Sequence, residues 1–326
     1  MVSGSFSRIL LTGASGFVGG YLAPRLAQAF PEARRWLTTR PDSQFALAGW
    51  EPIAVDSTDP QSIDACIRGA APDLVVHLAA QSSVAAGIAS GERTWRTNFG
   101  FSFELASACA RAAPDATFFF VSSSEVYGKS FNLGMVDETT PLRPVNAYAR
   151  SKAAVETTLF DVLSPGNHAI IARPFNHTGP GQDRRFAIPS FLAQIAQLEQ
   201  REGEGRIEVG NVDVERDFLD VRDVCDAYLA LLRLPRNPGW VDIYNVASGH
   251  AHKLSEILEI MRSLSRRNFL IEISPKLLRP ADVPVANGLN AKLANATDWR
   301  PRYDLRQTLD NTLEYWRRQV AAGACE

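Results

Sequence analysis

Apolar residues in the first half of the chain fall into short runs bounded by polar turns. The runs Arg8–Thr12, Arg35–Thr39, Ile53–Val55, Leu74–Ala79, Thr117–Val121 and His168–Arg173 read as strands. Between them, apolar residues recur at helical spacing, as in Trp95–Ala112 and Ala149–Leu163. Strand–helix alternation predicts βαβ units and an α/β fold with a doubly wound parallel sheet, its C-terminal strand ends on one rim. Pro24 conflicts locally with a helix after Gly16 and predicts a kink or a late start. The second half loses the rhythm: irregular stretches at 176–187, 202–206 and 273–287 separate shorter elements. That pattern predicts a smaller, mainly helical C-terminal lobe, with the chain returning to the sheet near Asp220–Asn245 and closing on an amphipathic helix, Leu305–Arg318. The expected division is residues 1–174 for the sheet domain, rejoined at about 212–247, and 175–211 with 248–326 for the lobe.

Composition narrows the possibilities. A length of 326 residues leaves ample core. A net charge of −2 with no basic stripe gives no footprint for nucleic acid. Cys66, Cys109, Cys225 and Cys325 show no CxxC and no paired spacing, which argues for reduced thiols, a cytoplasmic setting and no structural zinc. No apolar stretch approaches the roughly 18 residues of a membrane span.

The stretch "RILLTGASGFVGG" places Gly13, Gly16 and Gly19 directly after a strand and at the start of a helix. The first glycine permits the tight turn, and the second lets backbone N–H groups approach a pyrophosphate at the helix N-terminus. Ser15 and Phe17 belong to the same loop and are cofactor candidates with it. The second strand ends "TTR", Thr38-Thr39-Arg40, with no acid until Asp42. A cation beside two hydroxyls suits a 2′-phosphate, so NADP(H) is expected, with NAD(H) as the second choice. Asp56 is placed to accept from the adenine amino group. Leu78, Ala79 and Ala80 offer small backbone where the cofactor passes close.

In "NAYARSKAAVE", Tyr148 and Lys152 stand four apart on one helical face. An ammonium near a phenol stabilises the phenolate and lowers its pKa toward useful proton transfer. Seven tyrosines and five lysines leave only about 0.1 chance matches to this spacing. The strand "TFFFV" breaks into Ser122, Ser123 and Ser124 with Glu125 beside them. A serine there, beside Tyr148, gives a substrate carbonyl two donors. Glu125 is either a base for a carbon-bound proton or a holder of loop backbone. His77, mid-strand, reads as a core histidine, and His177 has no second ligand at metal spacing, so no metal site is expected.

Gly13, Gly16, Gly19, Ser123, Tyr148 and Lys152 together resemble the extended branch of the short-chain dehydrogenase/reductase superfamily, over nearly the whole chain. The resemblance implies a Rossmann domain, a C-terminal sugar-nucleotide lobe and a homodimer. The family's catalytic serine matches Ser123 best, with Ser124 as the fallback. "RPFNHTGPGQ", "VGNVDVERDFLDVRDV" and "LRPADVPVANG" resemble the enzymes of GDP-6-deoxyhexose metabolism. That likeness implies contacts of Asn176 and Arg216 with the nucleotide diphosphate, of Arg279 with phosphate and of Asp282 with ribose, with Gln81, Ser82 and Val209 also on the substrate. The activity implied is reduction of the C4 ketone of GDP-4-keto-6-deoxy-D-mannose to GDP-D-rhamnose. The alternatives are 4,6-dehydration of GDP-mannose and another nucleotide-sugar 4-reductase or epimerase. The short connection "TTRPDSQFAL" and the segment "ERDFLDVRDV" favour reduction.

Overall fold

The computed structural model describes residues 5–82, 90–202, 205–278 and 283–323. Its central strands are β1 (Arg8–Thr12), β2 (Arg34–Thr39), β3 (Glu51–Ala54), β4 (Leu74–His77), β5 (Thr117–Val121) and β6 (His168–Pro174), joined by β10 (Val241–Val246). They form one sheet in the order β10-β6-β5-β4-β1-β2-β3, every pair parallel. Successive side chains point to opposite faces, and both faces are covered. Ile9, Leu11, Val76, Phe119 and Ile170 pack with the helices Phe17–Ala29 and Val221–Leu232. Leu10, Val75, Phe118, Phe120 and Ile171 pack on the other side, with Pro60–Ala70, Phe101–Ala112 and Ala147–Val162. Burial on both faces is why these strands read as unbroken apolar runs. The strand order reverses between β1 and β4, which opens a crevice at their C-terminal ends.

Two helices depart from expectation. The first begins directly at Phe17 and runs through Pro24 to Ala29, so the proline does not delay its start. The segment expected as one uniform helix over Trp95–Ala112 contains a π-helical turn, Trp95–Gly100, between Gly91–Thr94 and Phe101–Ala112. Such turns insert one residue into the α-ladder and re-aim the side chains around them.

In the second half, β7 (Asn176–Thr178), β9 (Glu215–Asp220), β11 (Ala251–Lys253) and β13 (Val285–Ala286) make a small sheet centred on β9. A separate parallel pair joins β8 (Gly205–Val209) to β12 (Phe269–Ile273). Three helices, Ala187–Leu198, Leu254–Leu264 and Leu305–Ala321, close over Ile207, Val209 and Phe269 as a further core. The lobe is thus helices on two small sheets. Its strands, of two to six residues, are too short to show a period of two in the sequence.

Candidate active site

A cleft of about 400 Å³ opens at the C-terminal rim of the sheet, between β1, β4, β5 and β6 and the Gln182–Ala187 segment of the lobe. Its floor near β1 is the glycine turn. Gly13 has φ +75°, and a Cβ there would lie 2.7 Å from the backbone nitrogen of Ala79. A Cβ on Gly19 would lie 2.3 Å from the Gly13 carbonyl oxygen, so this glycine lets the helix seat directly on the turn. Gly16 is the N-cap and no side chain caps this helix. Its first N–H groups therefore face the cleft at the positive end of the helix dipole. A glycine cradle under an uncapped N-terminus fits a dinucleotide pyrophosphate.

The catalytic candidates meet across the cleft. Ser123 follows β5; its Oγ accepts from the Glu125 N–H at 3.2 Å and is hydrogen-bonded to Tyr148. It therefore both caps the 3₁₀ turn Ser124–Tyr127 and touches the phenol. Ser124 is buried beside it, and Glu125 also lines the cleft, with Asn146 Nδ2 at 3.5 Å from its Oε2. Asn146 caps the helix that carries Tyr148 and Lys152 by accepting from the Ala149 N–H at 2.8 Å. Lys152 Nζ donates to the Val121 carbonyl at 2.7 Å and lies 4.7 Å from the centre of the Phe120 ring.

The electrostatics differ from the expectation that Lys152 pulls the phenol pKa down. Burial pushes Tyr148 up to about 12, the Ser123 hydrogen bond works the other way and Glu125 adds to the rise. Burial lowers Lys152 to about 7, with the Glu156 carboxylate opposing it. The reason is geometric: the ammonium is turned to the Val121 carbonyl, and removal from water dominates both groups. Tyr148 is thus held as the protonated acid.

Leu78, Ala80, Ser82 and Asn176 line this cleft with Gly13, Gly16, Phe17 and Gly19. Ala79 donates its N–H to Thr12 Oγ1 at 3.2 Å and abuts Gly13. Ser15 lines the outer side of the glycine turn with Tyr21 and Pro180. Arg40 and Asp56 are exposed just past the ends of β2 and β3. The Asp56 carboxylate already accepts from the Thr58 N–H and Oγ1, at 2.8 and 2.7 Å. Gln81 is clamped by the π-turn residue Asn98, whose Oδ1 accepts from its N–H at 2.7 Å and whose Nδ2 donates to its carbonyl at 3.2 Å. Val209 is buried in the lobe core rather than on the cleft wall. Arg216 Nη1 donates to the carbonyls of Glu215 and Pro284, at 2.8 and 3.1 Å; burial lowers its pKa, opposed by Glu125. The neighbouring acids are engaged elsewhere, Asp217 with the N–H groups of Ser248 and Gly249, Asp220 with Arg222. Arg279 and Asp282 lie outside the described residues.

Sequence reasoning missed part of the wall. His177, Gln182, Arg185 and Phe186 line the cleft from the lobe side. His177 Nδ1 donates to the Phe175 carbonyl at 2.9 Å, and its ring is stacked parallel to Phe17. Gln182 Nε2 donates to the His177 carbonyl at 3.0 Å. The position of "HTGPGQ" after β6 was the available signal. His77 is the expected core histidine: Thr12 Oγ1 and Ser102 Oγ bracket its ring at 2.7 and 2.8 Å, and burial lowers its pKa to about 3.

Residues 9–247 match the model of the NAD dependent epimerase/dehydratase family. Among curated proteins, the GDP-6-deoxy-D-mannose reductase of Pseudomonas aeruginosa is 34% identical, over 96% of this chain and 98% of its own length. The GDP-6-deoxy-D-talose 4-dehydrogenase of Aggregatibacter actinomycetemcomitans is 27% identical over 88% of this chain and 90% of its own. A solved structure of RMD from Pseudomonas aeruginosa complexed with NADPH superposes with a TM-score of 0.81 at 34% identity, covering 97% of this chain and all of that one.

Proposed function

We propose, for a chain that belongs to the NAD dependent epimerase/dehydratase family, that it reduces the C4 ketone of GDP-4-keto-6-deoxy-D-mannose to GDP-D-rhamnose with NADPH. The observation that carries this is the near full-length match to a GDP-6-deoxy-D-mannose reductase in a chain whose Ser123, Tyr148 and Lys152 meet in one cleft. When bound, NADPH would supply the hydride that C4 takes up. Gly13, Gly16 and Gly19 would hold its pyrophosphate, and Arg40 its 2′-phosphate. Tyr148, protonated well past neutral pH, hydrogen-bonds the C4 carbonyl oxygen and gives it the proton. Ser123 is the second donor to that oxygen, which stabilises the charge that develops there. An ammonium has three N–H groups, and Lys152 gives one to Val121, leaving two for a ribose hydroxyl and the phenolate.

Residues 1–174 with 221–247 form the dinucleotide domain in this reading, and 175–220 with 248–326 the sugar-nucleotide lobe; the bound expected at about 212 moves to the end of β9, because β9 pairs with β7, β11 and β13 and not with the central sheet. Asn176 and Arg216 take the diphosphate, with Gln81 and Ser82 near the sugar. A homodimer would pack through the helices Phe101–Ala112 and Ala147–Val162. The aromatic series Trp95, Phe99 and Phe103 and the 58% exposed Phe160 support it, and sedimentation equilibrium tests it. Among the described residues no helix is long and apolar enough to cross a membrane.

Glu125 in the cleft beside Tyr148 supports a second reading, 4,6-dehydration of GDP-mannose, because that reaction needs a base at C5. Product NMR after incubation with GDP-4-keto-6-deoxymannose and NADPH tests the first reading. A GDP-rhamnose spectrum is expected. GDP-6-deoxytalose would place hydride on the other face of C4 and reassign the product.

A further inference from the structure

Glu156 has no part in the steps above, yet it is buried at their base. It follows Lys152 by four residues on the same side of the helix Ala147–Val162. Its carboxylate accepts from Ser122 Oγ, from Arg173 Nε at 3.1 Å to each oxygen and from Arg173 Nη2 at 2.6 Å. The two side chains of this ion pair are 4% and 3% exposed. Arg173 Nη1 also donates to the Tyr127 hydroxyl at 2.9 Å, and that hydroxyl donates to Asn245 Oδ1 at 2.7 Å. Ser122 immediately precedes Ser123, and Arg173 immediately precedes the cleft wall Pro174-Phe175-Asn176. One carboxylate therefore joins the helix bearing Tyr148 and Lys152, the end of β5 and the end of β6.

The charges around Lys152 give this contact a second consequence. His77, facing from β4, is neutral at ordinary pH, and Tyr148 on its own helix is protonated. Glu125, from the 3₁₀ turn, acts on Tyr148 and Arg216. Arg173, from β6, is a cation that would oppose the ammonium if its charge were not met. The anion that acts on Lys152 is Glu156, and Glu156 also meets Arg173. An ammonium buried to this degree keeps its proton only against a facing negative charge.

We propose that Glu156 is a positioning residue for the reduction, one that neutralises Arg173 and holds Lys152 in its cationic form at the cleft floor. The inference rests on the proposed reduction for the reaction it serves, but its effect on Lys152 is readable from cofactor binding alone. The experiment measures NADPH affinity by fluorescence, and kcat/KM with the ketosugar nucleotide, from about pH 5.5 to 9.5 for wild type, Glu156→Gln, Ser122→Ala and Glu156→Gln/Arg173→Met. In wild type both quantities fall as pH rises through the titration of Lys152. In Glu156→Gln that limb moves about one pH unit lower, so affinity falls about tenfold more than wild type above the limb and recovers toward it below. Ser122→Ala, which removes a hydrogen bond and no charge, lowers kcat/KM without moving the limb. The double variant removes the cation left unpaired in the single one and keeps the buried volume, so it folds, and the displaced limb persists in it. A limb that stays at the wild-type pH in both Glu156 variants, whatever the loss of activity, overturns the proposal. A displaced NADPH-binding limb in a protein that reduces no GDP-ketosugar sinks the proposed reaction and leaves this inference standing.

Discussion

Lys152→Met should make the dinucleotide-free protein more stable while abolishing its reaction. Lys152 is 3% exposed, and burial lowers its pKa from 10.5 to about 7. At about 1.4 kcal/mol per tenfold change in proton affinity, holding that charge inside costs about 5 kcal/mol below pH 7. Methionine has nearly the same length and carries no charge. Its cost is the Val121 carbonyl, which loses its 2.7 Å donor and with it about 1–3 kcal/mol. The net gain is about 2–4 kcal/mol at pH 6. The sign with pH follows from linkage. Between about 7 and 10.5 the unfolded chain holds a proton that the folded chain lacks, so this group makes wild type more stable as pH rises through that window. The advantage of Lys152→Met is therefore largest at and below neutral pH and disappears near pH 10. Urea unfolding of both proteins at several pH values, with equal m-values, reads it directly. A variant less stable than wild type at pH 6, or a difference that does not change with pH, would refute the reasoning.

Tyr148→Phe should cut turnover by about 10²–10⁴ and leave NADPH affinity within a few-fold, since it removes an acid and little else; unchanged single-turnover NADPH oxidation would remove Tyr148 from the acid's role. Arg40→Asp should shift preference from NADPH toward NADH by repelling the 2′-phosphate and offering ribose an acceptor, measured as the ratio of kcat/KM for the two cofactors; equal losses for both would give Arg40 another task. Gly13→Ala should weaken both cofactors alike, because a Cβ at φ +75° costs about 1–2 kcal/mol and meets Ala79 at 2.7 Å; calorimetric titration showing wild-type affinity would contradict the close approach.

The sheet was legible because both faces of its strands are buried, which leaves runs such as Phe118-Phe119-Phe120 unmistakable. The glycine turn was legible because its spacing is dictated by backbone contact, as Gly13 against Ala79 and Gly19 against the turn make plain. Tyr148 and Lys152 were legible because a helix repeats every 3.6 residues. Their pKa values were not, since these depend on where the ammonium turns and how far both groups leave water. The link from Glu156 to Ser122 and Arg173 spans 34 and 17 residues, and only strand order brings those three together. The π turn that aims Asn98 at Gln81 leaves no mark on an apolar pattern that is helical throughout. The lobe side of the cleft, His177 to Phe186, lies in irregular chain, where side-chain direction follows tertiary contacts rather than a local period.

The most direct test of the central claim supplies wild-type protein with GDP-4-keto-6-deoxymannose and NADPH in one vessel and GDP-mannose without NADPH in another. In a reductase, hydride comes from added NADPH and the proton from Tyr148, so no carbon-bound proton is abstracted. The account predicts one NADPH oxidised per ketosugar reduced in the first vessel and no change to GDP-mannose in the second, with Glu125→Gln retaining substantial reductase activity. Formation of a 4-keto sugar from GDP-mannose in the second vessel, abolished by Glu125→Gln, would contradict it.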